Sequence, residues 1–145
     1  MAGNNANNTN NSDRLFKLEV ITPQKSVFSG DVEILTAPGV SGSFQVLRSH
    51  APLLATIGIG ELRIMDQTGN ELVYSTSGGF VEVNHNVASF LADAIEPESQ
   101  IDVGRARAAR ERAEERLNKK EPGTDIARAR AALARAINRL RIAGK

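Results

Sequence analysis

The chain has 145 residues, 41% of them hydrophobic but only 4% aromatic, with no Cys and no Trp. That length suits one ordinary domain, or a small domain with an appendage, around an aliphatic core. The missing cysteines exclude disulfides, thiolate metal sites and a Cys nucleophile, and the absence of a long apolar run excludes a helical membrane span. The net charge of +1 conceals an asymmetry: residues 1–95 carry 5 Lys/Arg against 9 Asp/Glu, and residues 96–145 carry 13 against 8. An anionic partner is therefore expected on the C-terminal part.

Residues 1–13 open with six Asn among the first twelve and offer too little apolar surface to offset ordering entropy, so a disordered tail is expected. No secretory signal is visible there. From Leu15 the pattern has period two: Phe16, Leu18 and Val20 alternate with Lys17 and Glu19, as in a half-buried strand. Pro23 ends it. Val27-Phe28 and Val32–Leu35 read as short strands separated by Ser29-Gly30-Asp31, and Ala37–Gly42 as a loop. Ser43–Leu47 and Leu53–Ile59 follow, divided by the turn His50-Ala51-Pro52. Two hairpins come next, Glu61–Met65 with Leu72–Thr76 and Phe80–Val83 with Val87–Leu91, whose Gly- and Asn-containing loops suit positive φ. Nine or ten short strands with no helical stretch between them imply a β-sandwich or flattened barrel over residues 14–97.

After Pro97 the period changes to 3.6. Ser99 reads as an N-cap, with Asp102 as the acidic member of a capping box, for a helix reaching Lys119. Its apolar stripe is Val103, Ala106, Ala109, Ala113 and Leu117. Pro122-Gly123 is a turn. Thr124 reads as the N-cap of a second helix, striped by Ile126, Ala129, Leu133, Ala136 or Ile137, and Leu140. Residues 98–145 thus form a two-helix hairpin. Its Ala-rich stripes bury little area at ~25 cal/mol per Å², and Gly104 costs roughly 1 kcal/mol relative to Ala. Such a hairpin could detach or change shape.

No catalytic constellation is legible. His50 and His85 fall on turns without metal-ligand spacing, neither GxSxG nor a P-loop is present, and Gly78-Gly79 is too short to cradle a phosphate. No metal site and no required cofactor are expected. The arginines carry more information. Arg105 and Arg112 share a face of the first helix, Arg135 and Arg139 a face of the second, and folding at Pro122-Gly123 brings the two pairs to matching heights. Four guanidinium groups so placed repel unless an anion joins them, and Ala106 leaves room for the flat part of a nucleotide. The competing reading is a solvated charged face, with Glu111, Glu114 and Glu115 forming i,i+4 pairs. Nucleic acid fits poorly, because acids are mixed through the stretch and no aromatic residue lies in it.

In order along the chain, several segments are similar to the epsilon subunits of the F-type ATP synthase. They are Leu18-Glu19-Val20-Ile21-Thr22-Pro23, Phe28-Ser29-Gly30, Gly42-Ser43-Phe44-Gln45-Val46-Leu47, His50-Ala51-Pro52-Leu53, Gly60-Glu61-Leu62-Arg63-Ile64 and Ser77-Gly78-Gly79-Phe80-Val81-Glu82-Val83. The family's Ile/Leu-Asp-x-x-Arg-Ala motif corresponds to Ile101-Asp102-Val103-Gly104-Arg105-Ala106, followed by Arg135-Ala136-Ile137-Asn138-Arg139-Leu140. The resemblance covers Arg14 to the C-terminus. Gln45 stands where many members have Gly, Arg48 where they have Pro, and Ser43 where some have an acid.

The resemblance implies a ten-stranded β-sandwich followed by an antiparallel helical hairpin. It implies a non-catalytic central-stalk subunit that couples proton flow to ATP synthesis, peripheral on the cytoplasmic face of a bacterial inner membrane and held to the membrane through its complex. The implied partners are the gamma subunit and c-ring, and the catalytic alpha/beta ring when the hairpin extends to block hydrolysis. Ser43, Phe44 and His50 would lie at rotor interfaces. ATP would be a regulatory ligand of the folded hairpin, contacted by Glu96, Ile101, Asp102, Arg105, Ala106, Arg112, Arg135 and Arg139, with Asp102 orienting arginines or accepting from the nucleotide. The alternative is a free-standing module whose basic hairpin docks on an acidic protein or a nucleic acid.

Overall fold

The computed structural model describes residues 11–144. The expected disordered tail lies outside these residues, apart from Asn11–Asp13, which belong to the 3₁₀ turn Asn11–Arg14.

Among the described residues seven strands form the N-terminal domain: β1 (Phe16–Ile21), β2 (Ser26–Gly39), β3 (Gly42–Val46), β4 (Leu53–Asp66), β5 (Glu71–Asn84), β6 (Val87–Ala92) and β7 (Ile95–Pro97). They pair in the order β1-β6-β5-β4-β2-β3. β1 also pairs with β2, which closes the sheet on itself, and β7 adds to β5. The β-sandwich or flattened barrel read from the sequence is therefore present, but the count of nine or ten strands is not. β2, β4 and β5 each run 14 residues and absorb pairs of segments that read as separate. Ala37–Gly39, read as loop, continues β2 to a turn at Val40-Ser41. Glycine in an apolar run reads as a break, yet here it bends a strand without ending it. At Gly78 and Gly79, φ is +128° and +135°, and β5 changes partners there from β7 to β6.

Period-two burial is clearest in β1, where Phe16, Leu18 and Val20 are buried and Lys17 and Ile21 are exposed. The inward rows meet in one core that includes Val32, Leu35, Leu62, Ile64, Val81 and Phe90. The turns are built as their residues require. Asp66 Oδ1 accepts from the backbone N–H of Thr68 (2.8 Å) and Asn70 (3.0 Å), with Gly69 at φ +82°. His85 and Asn86 both take positive φ, the geometry of a tight hairpin turn.

Tyr74, the chain's only tyrosine, packs in this core, and burial raises its phenol above the ordinary value. In the folded chain the phenol should ionise later than in the unfolded chain. Its contribution to stability is complete below about pH 10 and is lost as pH rises through the folded value. A spectrophotometric titration should show a single phenolate transition shifted upward, returning to the ordinary value in denaturant. An unshifted native titration would contradict this placement.

Two helices complete the chain, α1 (Val103–Lys119) and α2 (Ile126–Ile142). Asp102 itself caps α1, its Oδ1 accepting the Arg105 N–H at 3.0 Å, and Ser99 belongs to a preceding 3₁₀ turn, Glu98–Gln100. The cap expected at Thr124 is likewise one residue on, at Asp125, which accepts from Arg128 N–H at 3.0 Å. A carboxylate is favoured over a hydroxyl at the positive helix end. Lys120 is left-handed and Gly123 has φ +87°, so the chain reverses at Pro122-Gly123 as expected.

α1 packs against α2, and α2 against β4 and β5. At about 100° per residue, Ala129, Ala136 and Leu140 fall on one side of α2 and Asn138 and Ile142 on the other. All five are buried. α2 is therefore covered on two opposite faces, only one of which the hydrophobic pattern had revealed. Of the two residues weighed at the fourth stripe position, Ala136 is buried and Ile137 is 44% exposed.

Candidate functional site

α2 lies across the sheet beside the short strand β7, and a cleft of about 380 Å³ opens between them. Its sheet wall is Ser75, Thr76 and Ser77 of β5 with Ala94, Ile95 and Glu96. Its helical wall is Ala109 of α1 with Ala132, Arg135, Ala136, Asn138 and Arg139 of α2. Alanines on the helices keep the cleft open, because no side chain projects far enough to fill it. The volume falls in the range of small-ligand sites. Apolar walls with a few charged groups at the rim suit an anion that carries a flat apolar part.

Three of the eight expected nucleotide contacts, Glu96, Arg135 and Arg139, line this cleft. Glu96 and Arg139 form a two-point ion pair in which Arg139 Nε donates to Oε1 and Nη2 to Oε2 at 3.3 Å. Both side chains are less than a third exposed. This fork geometry fixes the guanidinium plane as a lysine could not. Arg135 is exposed and, among the described residues, has no ion pair or hydrogen bond from its side chain.

The other five positions are not among the residues that line the cleft. Arg105 and Arg112 lie one turn either side of Ala109 on α1, exposed and without side-chain partners among the described residues. Ala106 is fully buried in the helix contact. Ile101 is half-buried, and Asp102 is occupied as the cap of α1. The solvated-face reading holds in part: Arg110–Glu114 and Lys119–Glu115 form i,i+4 pairs on α1, whereas Glu111 has no ion pair among the described residues. Of the four arginines, Arg135 and Arg139 line the cleft, and among the described residues Arg139 alone has an ion-pair partner.

The expected rotor residues separate. Ser43 is exposed on β3, paired with Pro38. Phe44 is half-buried and packs against the core. His50 follows the left-handed Ser49, and its Nδ1 lies 2.7 Å from the Ala51 carbonyl. Among the described residues no group of His, Cys, Asp and Glu could hold a metal, and no helix is long and apolar enough to cross a membrane.

Two features escaped the sequence reading. The hydroxyl run Ser75-Thr76-Ser77 is mostly buried beneath α2. Its signal was three polar residues at strand positions where apolar ones would be expected. The second is an outward apolar row across the sheet. Ile21 of β1 pairs with Leu91 of β6, Leu91 with Phe80 of β5, and Leu54 of β4 lies diagonally beyond. Leu91, Phe80 and Leu54 are each more than half exposed. Large apolar side chains at the outward positions of alternating strands were the available signal.

Residues 15–98 match the family described as ATP synthase, Delta/Epsilon chain, beta-sandwich domain, and residues 99–144 match its long alpha-helix domain. The ATP synthase epsilon chain of Pelotomaculum thermopropionicum is 53% identical over 134 residues, covering 92% of this chain and 99% of that one. The epsilon chain of Salinibacter ruber is 46% identical, covering 87% and 90%. In solved structures, the fold resembles a chain of the Euglena gracilis mitochondrial ATP synthase OSCP/F1/c-ring assembly, with a TM-score of 0.70 at 22% identity over 84% of this chain and 76% of that one. Nothing in these relatives supports a free-standing module. Two family domains in order and a relative of half-identical sequence over nearly its whole length place the chain among the epsilon chains of the F-type ATP synthase, as a non-catalytic subunit.

Proposed function

We propose that the chain couples rotation to synthesis in the central stalk and restrains ATP hydrolysis through an ATP-sensitive hairpin. The observation that carries this reading is the docked hairpin itself. It meets the sheet through one thin face of α2, beside a cleft rimmed by Glu96, Arg135 and Arg139. The eight-residue ATP set then divides by role. Arg135, Arg105 and Arg112 are the free cations for the phosphates, Arg139 is aligned by Glu96, Asp102 fixes the start of α1, and Ile101 and Ala106 give apolar contact. Ligand at ~100 times its dissociation constant favours the form that binds it by about 2.7 kcal/mol. A two-state hairpin whose stripes are rich in alanine is within reach of such a shift.

The sandwich would seat on the gamma subunit through the outward row of Ile21, Leu91, Phe80 and Leu54, whose exposed apolar area calls for a partner. Ser43 and Phe44 of β3, and His50 in the turn before β4, would face the c-ring. The subunit would then be peripheral, on the cytoplasmic face of a bacterial inner membrane. When extended, the basic hairpin would meet acidic segments of the alpha/beta ring.

The test is addition of the full chain to an alpha/beta/gamma complex that hydrolyses ATP. The rate should fall at low ATP and recover as ATP rises. A rate untouched by the chain at every ATP concentration would overturn the inhibitory reading.

A further inference from the structure

Asn138 is the one polar side chain of the hairpin that is buried among the described residues, at 6% exposed. It uses both of its donors and one acceptor site on three neighbours. Nδ2 donates to the Gly60 carbonyl at 2.9 Å and to Ser75 Oγ at 3.2 Å. Oδ1 accepts from Arg141 Nη2 at 2.9 Å. Two of these bonds cross from the hairpin to the sandwich, one to β4 and one to β5.

The acceptor on β4 is a product of the strand pairing. β2 pairs with β4 at Thr36↔Arg63 and again at Gly39↔Ile57, but not between. Pro38 lies in the gap, close enough to Gly60 that an added Cβ there would come within 2.5 Å of the proline ring. Proline has no N–H to give. Gly60 is paired with Thr76 of β5 and with no residue of β2, and its carbonyl accepts from Asn138 of α2.

The helix faces make this bond a choice of register. The face of α2 toward α1 carries Ala129, Ala136 and Leu140, which meet α1 through apolar contact alone. The face toward the sheet carries Asn138 and Ile142. Apolar contact of this kind gives adhesion without a defined position, whereas a buried amide with two fixed acceptors is satisfied in one position only. We propose that Asn138, with Gly60, Ser75 and the gap made by Pro38, is a polar latch that fixes the register of the hairpin on the sandwich and sets how readily it leaves when no ligand is bound. This rests on the reading of the hairpin as a detachable arm, and adds a determinant outside the arginine set. Undocking exposes the Gly60 carbonyl and Ser75 hydroxyl to water, so the open form has no unsatisfied group.

The test is amide hydrogen exchange of the full chain without ATP, wild type beside Asn138→Asp and Ser75→Ala. Aspartate keeps the shape but presents only acceptors toward the Gly60 carbonyl. The latch predicts exchange across α1 and α2 at least roughly tenfold faster in Asn138→Asp, and a smaller acceleration in Ser75→Ala, with β1, β4 and β5 still protected. Helix exchange at the wild-type rate in both variants would overturn it. Should Asn138→Asp lose strand protection as well, Ser75→Ala decides. The ATP reading is separated by adding ATP to wild type. An ATP effect with unchanged variants sinks the latch alone, and open variants with no ATP effect sink the sensor alone.

Discussion

Gly79→Ala should destabilise the sandwich by more than about 3 kcal/mol, and should lower its melting temperature by more than roughly 12 °C. Two causes add. The φ of +135° is one that residues with a side chain rarely adopt, and an added Cβ would come within 2.1 Å of the Leu91 carbonyl oxygen and 3.0 Å of Ala92 Cα. Both obstacles are backbone of β6, so neither can move aside by changing rotamer. Position 79 is where β5 passes from one strand partner to the next, and shifting it disturbs the pairings Gly79↔Ala92 and Ile57↔Gly79 together. Gly30→Ala is the control. It lies in β2 with only the Phe28 ring nearby, at 3.6 Å, and should change stability by less than about 1 kcal/mol. Equal effects at the two positions, read by thermal melting, would refute the bend described for β5.

Arg135→Ala should weaken ATP binding more than roughly tenfold while leaving the hairpin docked. The side chain has no protein partner among the described residues, so its removal leaves no group orphaned. Arg139→Ala should weaken binding as much but also loosen the hairpin, because Glu96 loses both of its hydrogen bonds and the hairpin loses its ion pair to the segment after β6. Arg135→Lys should fall between, keeping the charge but losing the fork. Calorimetry reads the affinity and hydrogen exchange the docking. Wild-type affinity in Arg135→Ala would remove the cleft from the ATP site.

The parts of the fold that follow from local pattern were legible. β1 shows why: its alternation of Phe16, Leu18 and Val20 with polar residues states both the strand and its buried face. The Pro122-Gly123 reversal and the Asn84-His85-Asn86 turn were equally plain, because the residue types carry the backbone conformation. What could not be read is what depends on distant partners. Gly58, Gly60 and the Gly78-Gly79 pair mark bends in continuous strands, and only the register of β4 on β5 shows that the pairing survives them. The helix starts were displaced because Ser99 and Asp102, and again Thr124 and Asp125, are competing cap residues a few positions apart. For the site, the arginine pairs on each helix were visible in the spacing. The cleft was not, since it depends on alanines 109, 132 and 136 and on the hydroxyl run of β5. Asn138 interrupted the very face it anchors, so the sheet-facing side of α2 left no hydrophobic stripe to find.

The central claim is that the hairpin leaves the sandwich and that ATP opposes its leaving. The chain has no cysteine, so labels at Asp31→Cys on β2 and Arg130→Cys on α2, both exposed, report one distance between the two parts. Measured in the subunit assembled with gamma and the catalytic ring, that distance should fall into a short and a long population. Rising ATP should move the balance toward the short one, by up to about a hundredfold when ATP reaches ~100 times its dissociation constant. A single distance that ATP leaves unchanged at every concentration would contradict the account.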